Sequence, residues 1–260
     1  NYLIVSILTE QRKPITRMRR IGFHGNNLDA VERLNALSRR ICAEKPDPEK
    51  ALRMLDETRA SVQYYSFPML LVGHFLGAGG FGLLFGCSLP DAVFAGLCGI
   101  LIAFITRFTS AMKANPIFST LAASFLMSIA AYGLNAAGLV ANSDTVIIGS
   151  MMILVPGLVF TNALRDIIYG DINSGINKCV QVLLIAGSMA LGSAAARNLA
   201  IRLWGLPQSA PAVSRSLPVL CLASFSGCIG FSILFNIHGP GMLLCTLGGI
   251  ADYVIYALCL

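Results

Sequence analysis

Charge is the scarcest property of this 260-residue sequence, because only 12% of its residues are charged while 55% are hydrophobic. Soluble domains contain about 25% charged and about 45–50% apolar residues. A water-facing surface therefore cannot be built for most of this chain. The deficit excludes an ordinary soluble domain and predicts a membrane protein.

The sequence also lacks the usual motifs of catalysis and metal binding. Its eight cysteines are scattered, none of them forms a Cys-x-x-Cys pair, and most fall within apolar runs. No Gly-x-Ser-x-Gly and no His-Glu-x-x-His motif occurs, which disfavours a membrane-embedded hydrolase. We interpret the cysteines as small buried hydrophobic residues, and we expect no disulfide, no metal site and no enzyme activity.

The few charges are unevenly distributed along the chain. Residues 1–66 contain 12 of the 19 Lys and Arg and 8 of the 13 acids, which leaves 12 charges for the other 194 residues. Because the basic residues are mixed with acids and form no stripe, we expect no nucleic-acid partner. We divide the chain into an amino-terminal segment (1–66), a first transmembrane unit (67–207) and the start of a second (208–260).

The amino-terminal segment has its own periodic patterns. The opening NYLIVSILT is β-branched and apolar, which predicts a strand. Apolar residues then recur at spacings of three and four from Leu28 to Ile41, which is typical of an amphipathic helix. A second helix is predicted from Pro48, with Asp47 as its cap. The segment is therefore a small α/β region.

Seven apolar runs of membrane-spanning length follow this segment. The loops on the amino-terminal side contain Lys and Arg, while the opposite loops CSLPD and ANSDT contain none, so the amino terminus is predicted to be cytoplasmic. Three arginines contradict this positive-inside rule, because they lie on the outer side in this arrangement: Arg197, Arg202 and Arg215. The predicted spans are 67–87, 91–107, 116–140, 145–164, 178–203, 216–236 and 240–260.

An internal repeat links two parts of the chain. Residues 75–100 align without gaps to residues 225–250, and ten of the 26 positions are identical. Shared membrane composition alone would rarely align glycines, phenylalanines and a proline, so we interpret the match as a true repeat. The identical positions in the first copy are Phe75, Gly77, Gly80, Phe81, Leu84, Phe85, Pro90, Leu97, Gly99 and Ile100.

Five predicted spans in the first unit, an odd number, place the second unit in the membrane in the opposite orientation. The fold class expected is an all-α polytopic membrane protein, an inverted-repeat helical bundle of the kind that secondary transporters use. Both ends of the sequence look cut, and a full second unit would need roughly 95 further residues. A homo-oligomer or a separate partner subunit is expected if that unit is incomplete.

The fourth apolar run is interrupted by Pro156 and Gly157 and leads into the charged stretch 159–178. A proline removes a backbone hydrogen bond, so the helix should break, as helices that line transport sites commonly do. Beyond the break, Asn162, Arg165 and Asp166 share one helix face. Arg165 is suited to a substrate carboxylate, and Asp166 or Asp171 to an ammonium group or a coupling proton.

An ordinary loop explains the same residues. Asp171, Asn173 or Ser174 can cap the fifth span, and Arg165 is what a cytoplasmic loop is expected to contain. Physical reasoning on these residues leaves both interpretations open.

The stretch VPGLVFTNALRDIIYGDINSGINK resembles the signature of the threonine/serine exporter family. That signature contains Pro-Gly, Asn-x-x-Arg-Asp and Gly-Asp-x-x-Ser-Gly in this order, here Pro156-Gly157, Asn162 to Asp166 and Gly170 to Gly175. The amino-terminal TRMRRIGFHGNNLDAVERLNALSRRI is also similar to the family, so the resemblance extends over nearly the whole chain.

The resemblance implies export of small polar amino acids across the bacterial inner membrane, driven by the proton gradient without a bound cofactor. It implies a substrate site formed by Thr161, Asn162, Arg165, Asp166, Asp171 and Ser174. Secondary or proton-coupling candidates, chosen because they are polar residues in or beside spans, are His74, Asp91, Asn115 and Asp252. A cap is the commoner role of Asp91 and Asn115.

Two other functions remain compatible with the sequence. A dicarboxylate such as succinate would need a site dominated by cations. The presence of both transmembrane units in one chain does not itself decide between a dicarboxylate and an amino acid. A passive channel would need no proton gradient.

Overall fold

The computed structural model describes residues 2–8, 13–20, 27–205, 207 and 210–259. The predicted start of the second unit, at 208, and the last position of the last span, 260, lie outside this description. The chain divides into two compact units, Asn1–Val62 and Gln63–Leu260.

The first unit contains a two-stranded sheet and two helices. Strands β1 (Tyr2–Leu8) and β2 (Pro14–Arg20) are antiparallel, and they are followed by helices α1 (Leu28–Glu44) and α2 (Pro48–Ser61). The Asn27 side chain caps α1 by accepting a hydrogen bond from the Ala30 amide at 2.9 Å. Asp47 precedes α2 but makes no capping bond with its side chain, contrary to the prediction. Pro48 begins that helix as expected.

The second unit is entirely helical in its described residues. Six of its helices are long and apolar enough to cross a membrane, namely α3 (Phe67–Leu84), α4 (Leu89–Ala111), α5 (Pro116–Ala136), α8 (Ile172–Trp204), α9 (Leu217–Leu234) and α10 (Pro240–Cys259). Proline occupies the first or second position of α3, α4, α5 and α9, where its missing N–H costs nothing. The predicted fourth span is instead two short helices, α6 (Ser143–Met151) and α7 (Gly157–Ile168).

The repeat is reproduced residue by residue in α3 and α9. Both helices begin after a serine, Ser66 or Ser216, and both end 18 residues later at positions 150 apart. The residues that follow the caps, Gly86 and Asn236, both adopt positive φ, at 90° and 57°. Such left-handed residues end helices by letting the next amides bond back to the last carbonyls. The predicted repeat is therefore also a repeat of local structure.

Glycines allow α3 and α9 to pack with their backbones in contact. A Cβ atom on Gly80 would lie 2.5 Å from the Gly227 nitrogen, and one on Gly230 would collide with the Gly77 nitrogen. Gly77 and Gly227 are repeat equivalents, as are Gly80 and Gly230, so the same contact occurs twice about a local two-fold axis. Because Gly77 meets Gly230 while Gly80 meets Gly227, the two helices are antiparallel. This is the inverted relation that the repeat predicts.

A matching pair of hydrogen bonds closes the two ends of this helix pair. The Tyr65 hydroxyl donates to the Ile237 carbonyl at 3.0 Å, and the Arg215 guanidinium donates to the Cys87 carbonyl at 3.0 Å. Tyr65 and Arg215 are 150 residues apart, and so are Cys87 and Ile237. The segment before each repeat helix therefore holds the loop that follows the other. Arg215, which breaks the positive-inside rule, has this bond as its structural role.

Helix directions show that α6 and α7 together form one crossing. Gly192 of α8 lies against Leu121 of α5, and Gly133 of α5 lies against Trp204 of α8, so α5 and α8 are parallel. The chain must then cross once between them. Helix α6 has nine residues and α7 has 12, which correspond to about 13 Å and about 18 Å of helix. Together they match the thickness of a hydrocarbon core, about 30 Å. The first transmembrane unit, which contains helices α3 to α8, thus has five crossings, and the fourth one is broken.

The core lies among α3, α4, α5 and α6. Its fully buried side chains include Ile102, Met127 and Val146, and small residues between them bring the helices together. Two cysteines, Cys87 and Cys98, belong to this core as predicted. The prediction is wrong for three others, which are exposed: Cys42, Cys245 and Cys259. Within the described ranges, no group of three or more His, Cys, Asp or Glu is arranged to hold a metal ion.

Adding a methyl group to the glycine contact should destabilise the membrane unit. We expect Gly80→Ala and Gly230→Ala each to cost about 1–3 kcal/mol, since the added carbon meets backbone that cannot rotate away. The two values should be similar because the two-fold axis makes the sites equivalent. Thermal unfolding in detergent, followed by circular dichroism, measures both.

Gly187→Ala provides the matched control, because Gly187 lies in α8 with open space where a Cβ would be placed. It should be neutral or slightly stabilising. Equal melting temperatures for Gly80→Ala, Gly230→Ala and Gly187→Ala would contradict the close contact.

Candidate functional site

Helices α7 and α8 form a tight hairpin at the charged stretch. Helix α7 ends at Ile168, and Gly170 adopts φ of 93°, a conformation that glycine adopts without strain. The Asp171 amide bonds back to the Asp166 carbonyl at 2.9 Å and closes the turn. Helix α8 then starts at Ile172 and returns alongside α7.

The absence of a side chain at Gly175 sets the distance between the two helices. A Cβ there would lie 2.9 Å from the Ala163 carbonyl oxygen and 3.2 Å from the Ile167 nitrogen, so α8 touches the backbone of α7. Ala163 is fully buried at this contact. The first turns of α8 therefore lie directly beside the last turns of α7.

Asp166 is the acceptor at the centre of this contact. Its Oδ2 atom accepts hydrogen bonds from the Lys178 ammonium at 2.6 Å and from the Ser174 hydroxyl at 2.7 Å. The carboxylate is 22% exposed, so solvent screens the ion pair only in part. We call these three residues the hairpin cluster.

Arg165, although adjacent in sequence, does not join the cluster. Its guanidinium lies over the Tyr169 ring, 5.7 Å from the centroid, and the side chain is exposed. Such a cation over an aromatic face contributes about 0.5–1 kcal/mol at an exposed site. The structure thus provides an exposed cation on α7 next to a carboxylate that already has a cationic partner.

The other residues predicted in this stretch make local contacts. Thr161 is exposed and donates to the Gly157 carbonyl of its own helix at 3.1 Å, while Asn162 is half-buried. Asp171 stands at the cap position of α8 but makes no capping bond with its side chain. Ser174 bonds Asp166. Of the three residues that the sequence offered as caps of this helix, Asp171 is therefore the one at the cap position.

Pro156 and Gly157 lie where the broken crossing turns. Helix α6 ends at Met151, and α7 resumes at Gly157 directly after Pro156. A Cβ at Gly157 would meet open space. The first turn of α7 therefore begins with free amides, as any helix start does.

Two secondary candidates have structural partners at opposite ends of the unit. Asp91, at the start of α4, is 2% exposed and accepts a bond from the Ala141 amide at 3.0 Å, which holds the loop before α6. Ser88, not Asp91, caps α4. Asn115 caps α5 by accepting from the Ile117 amide at 2.9 Å, at the end of the unit where the hairpin lies.

The remaining two candidates lie within spans. His74 is half-buried in α3, and its Nδ1 is 2.8 Å from the Leu70 carbonyl oxygen. Asp252 is exposed on α10, whereas its repeat equivalent Ile102 is completely buried in α4. The side-chain bonds of the hairpin cluster involve none of the four secondary candidates.

Lys178 is the member of the hairpin cluster that sequence reasoning did not select as a site residue. It lies 12 positions beyond Asp166, which is too far for contact on one helix but correct for a hairpin that turns at Gly170. The Gly170 and Gly175 pair is the signal that could have indicated the turn and the close packing.

Removing the hairpin cluster's charge should change stability in a pH-dependent way. Because acid protonates the Asp166 carboxylate and removes its charge, the contribution of the ion pair with Lys178 is present at neutral pH and is lost in acid. Asp166→Asn should therefore melt at a lower temperature than wild type at pH 7. The difference should vanish in acid, as measured by detergent thermal unfolding across pH.

Asp171→Asn removes the same charge five residues away, from a side chain without a capping bond. Its melting temperature should match wild type throughout the pH range. A loss equal to that of Asp166→Asn would mean that net charge, not the bonded cluster, sets hairpin stability.

Comparison with known proteins identifies the family of the chain. The model of the threonine/serine exporter family (ThrE) matches residues 1–200. The threonine/serine exporter of Corynebacterium glutamicum is 24% identical over 194 residues, a match that covers 73% of this chain and 40% of that protein. The match thus covers less than half the length of that relative. No solved structure matches. With the family model covering more than three quarters of the sequence, the chain belongs to the threonine/serine exporter family.

Proposed function

We propose that this protein exports small polar amino acids, threonine or serine, and that the α7–α8 hairpin is where the substrate binds. The observation that supports this proposal most strongly is the hairpin, which places two cations and two acids within 14 residues at one end of a broken crossing, namely Arg165, Asp166, Asp171 and Lys178. A zwitterion needs one charge of each sign, and charge-assisted bonds to them are the strong ones.

Binding would proceed by exchange of one ammonium group for another. The substrate carboxylate would bind the exposed Arg165, and its ammonium would replace that of Lys178 on Asp166. Thr161, Asn162, Asp171 and Ser174 would supply the remaining polar contacts. Because Lys178 lies on α8 and Asp166 on α7, the exchange would loosen the hairpin. Substrate binding would thereby be coupled to movement of the broken crossing.

Transport by alternating access is supported by the two-fold arrangement of α3 and α9. Equivalent bonds close the two ends of this pair, so each end has the parts needed to open while the other stays closed. The proton gradient would drive the cycle without a bound cofactor. In the hairpin cluster, Asp166 would take up a proton only after Lys178 has left, because the bound ammonium group stabilises the carboxylate.

The proposed setting is the bacterial inner membrane with the amino terminus in the cytoplasm, which places the hairpin on the cytoplasmic side. Lys113, Arg165 and Lys178 at this end support that orientation. Helix α10 packs mainly on α9, whereas its equivalent α4 packs on α3, α5 and α6. Further helices, from this polypeptide or a partner subunit, would complete the second unit.

Transport of labelled threonine into everted vesicles tests the function. Uptake should collapse with a protonophore and should fall at least about tenfold in Asp166→Asn, since that variant loses a charged ligand. Uptake that persists without a gradient would indicate a passive channel, and full activity in Asp166→Asn would remove this residue from the mechanism.

A charge-reversed double variant separates binding from hairpin stability. Asp166→Lys combined with Lys178→Asp retains the ion pair but moves the carboxylate to α8. If Asp166 binds the substrate, transport should stay low although the melting temperature recovers. Recovery of both would assign the pair a purely structural role.

A dicarboxylate is the competing substrate, and the acids of the hairpin argue against it. Two carboxylates on the ligand would face Asp166 and Asp171 as like charges. Excess unlabelled succinate should therefore leave threonine uptake unchanged, whereas unlabelled serine should reduce it.

A further inference from the structure

The two-stranded sheet of the first unit has one face on which aliphatic and cationic side chains lie together. Residues that pair across antiparallel strands point to the same side of a sheet, and so do alternate residues along a strand. Six side chains of β1 and β2 share this side, and all six are exposed. They form three cross-strand pairs, Leu3 with Arg19, Val5 with Arg17, and Ile7 with Ile15. We call this surface the arginine face.

The arginine face is uncovered although most of it is apolar. The side chains of Leu3, Ile7 and Ile15 are 55%, 63% and 51% exposed, so helices α1 and α2 do not cover them. A two-stranded sheet is marginally stable in water on its own. Exposed apolar patches mark contacts with other proteins or with membranes. The aliphatic residues of this face therefore indicate an interaction surface.

The arginines of this face supply positive charge that no acid in the sheet balances. Strands β1 and β2 contain no Asp or Glu, and neither Arg17 nor Arg19 forms an ion pair with an acid in the described part of the chain. An arginine can pack its methylene groups among aliphatic side chains while its guanidinium stays in a polar layer. Apolar area next to unpaired positive charge is the composition of protein surfaces that lie on membranes.

The opposite face of the sheet fits a lipid surface less well. A pair of hydroxyls lies at its centre, where Ser6 and Thr16 are hydrogen-bonded to each other at 2.8 Å. Its arginine, Arg20, belongs to the terminal pair of the two strands. The arginine face has no hydroxyl and places both of its arginines directly opposite aliphatic residues. Of the two faces, the arginine face therefore matches the apolar and anionic layers of a bilayer surface.

We infer that the arginine face binds the surface of a membrane that contains anionic phospholipids. Its aliphatic side chains enter the headgroup boundary, and Arg17 and Arg19 contact lipid phosphates. Charge complementarity favours anionic over neutral headgroups. Because the same chain crosses a membrane from α3 onward, the sheet is tethered to such a surface, and individually weak contacts are sufficient. The inference does not depend on what the membrane unit transports.

A tryptophan moved onto the sheet tests this contact. Trp204 is the only tryptophan in the sequence, so Trp204→Phe provides a background without tryptophan for Ile7→Trp. The full chain is reconstituted into vesicles of phosphatidylglycerol and phosphatidylcholine whose acyl chains are brominated near the headgroup, because bromine quenches tryptophan on contact. Fluorescence should fall at least about twofold relative to unbrominated vesicles of the same composition. The fall should shrink in pure phosphatidylcholine and at about 0.5 M salt.

Leu8→Trp in the same background is the matched control. Leu8 is the next residue along β1, points to the opposite face and is 71% exposed. It should stay accessible to acrylamide in the aqueous phase and be quenched little by brominated lipid. Equal or stronger lipid quenching of Leu8→Trp would overturn the assignment of the face. Val5→Trp, on the arginine face, repeats the measurement if Ile7→Trp does not fold.

Acrylamide distinguishes lipid from protein as the cover. If Ile7→Trp is shielded from acrylamide but is not quenched by brominated lipid, a protein surface covers the arginine face and the proposal is overturned. Full access of acrylamide to Ile7→Trp in vesicles that contain phosphatidylglycerol would overturn it as well, because the face would then be in water.

Two double variants separate this face from the net charge of the first unit. Arg17→Gln with Arg19→Gln should reduce the lipid quenching of Ile7→Trp about threefold or more, since both phosphate contacts are lost. Arg39→Gln with Arg53→Gln removes two exposed arginines from α1 and α2 and should leave the quenching unchanged. Equal losses in the two double variants would assign the effect to net charge and overturn the proposal.

Discussion

The backbone contact between α3 and α9 is the constraint on which the membrane unit depends. Gly77 and Gly80 on one helix meet Gly230 and Gly227 on the other, and a larger side chain at Gly80 or Gly230 would collide with the backbone of the facing helix. Since lipid is as apolar as leucine, helices in a membrane associate through such close packing. The contact also fixes direction, because Gly77 lies against Gly230 and Gly80 against Gly227, a crossed pairing that requires antiparallel helices. Because α3 and α9 run in opposite directions, the first transmembrane unit, from α3 to α8, must cross the membrane an odd number of times.

The broken fourth crossing is what brings the charged residues of the hairpin together. A continuous helix would satisfy its own backbone, whereas two short helices leave free amides at the break and allow α7 to pair with the start of α8. The pairing depends on Gly170 for the turn and Gly175 for the contact, and it brings Asp166 to Lys178. A polar cluster thus lies at one end of the transmembrane unit, where α8 begins.

The sequence pattern predicted the repeat, the helical spans and the break at Pro156, because spacing and composition determine them locally. It did not predict β2, whose strand depends on pairing with β1 rather than on its arginine-rich composition. It also missed Lys178, since only the hairpin brings that residue to Asp166. Position at a helix start did not decide the side-chain bonds either, since Asp171 occupies the cap position of α8 without such a bond, whereas Ser174 bonds Asp166 of the neighbouring helix. Contacts between elements were in each case the missing information.

The two-fold contact of α3 and α9 has a consequence for how such a protein is made. A surface that is complementary to itself about an axis in the membrane plane is satisfied only by two copies inserted upside down to each other. Separate chains would have to insert in both orientations in equal numbers. Joining the copies through five crossings delivers the second one already inverted, and in a ratio of one to one. The linkage thereby makes assembly independent of protein concentration.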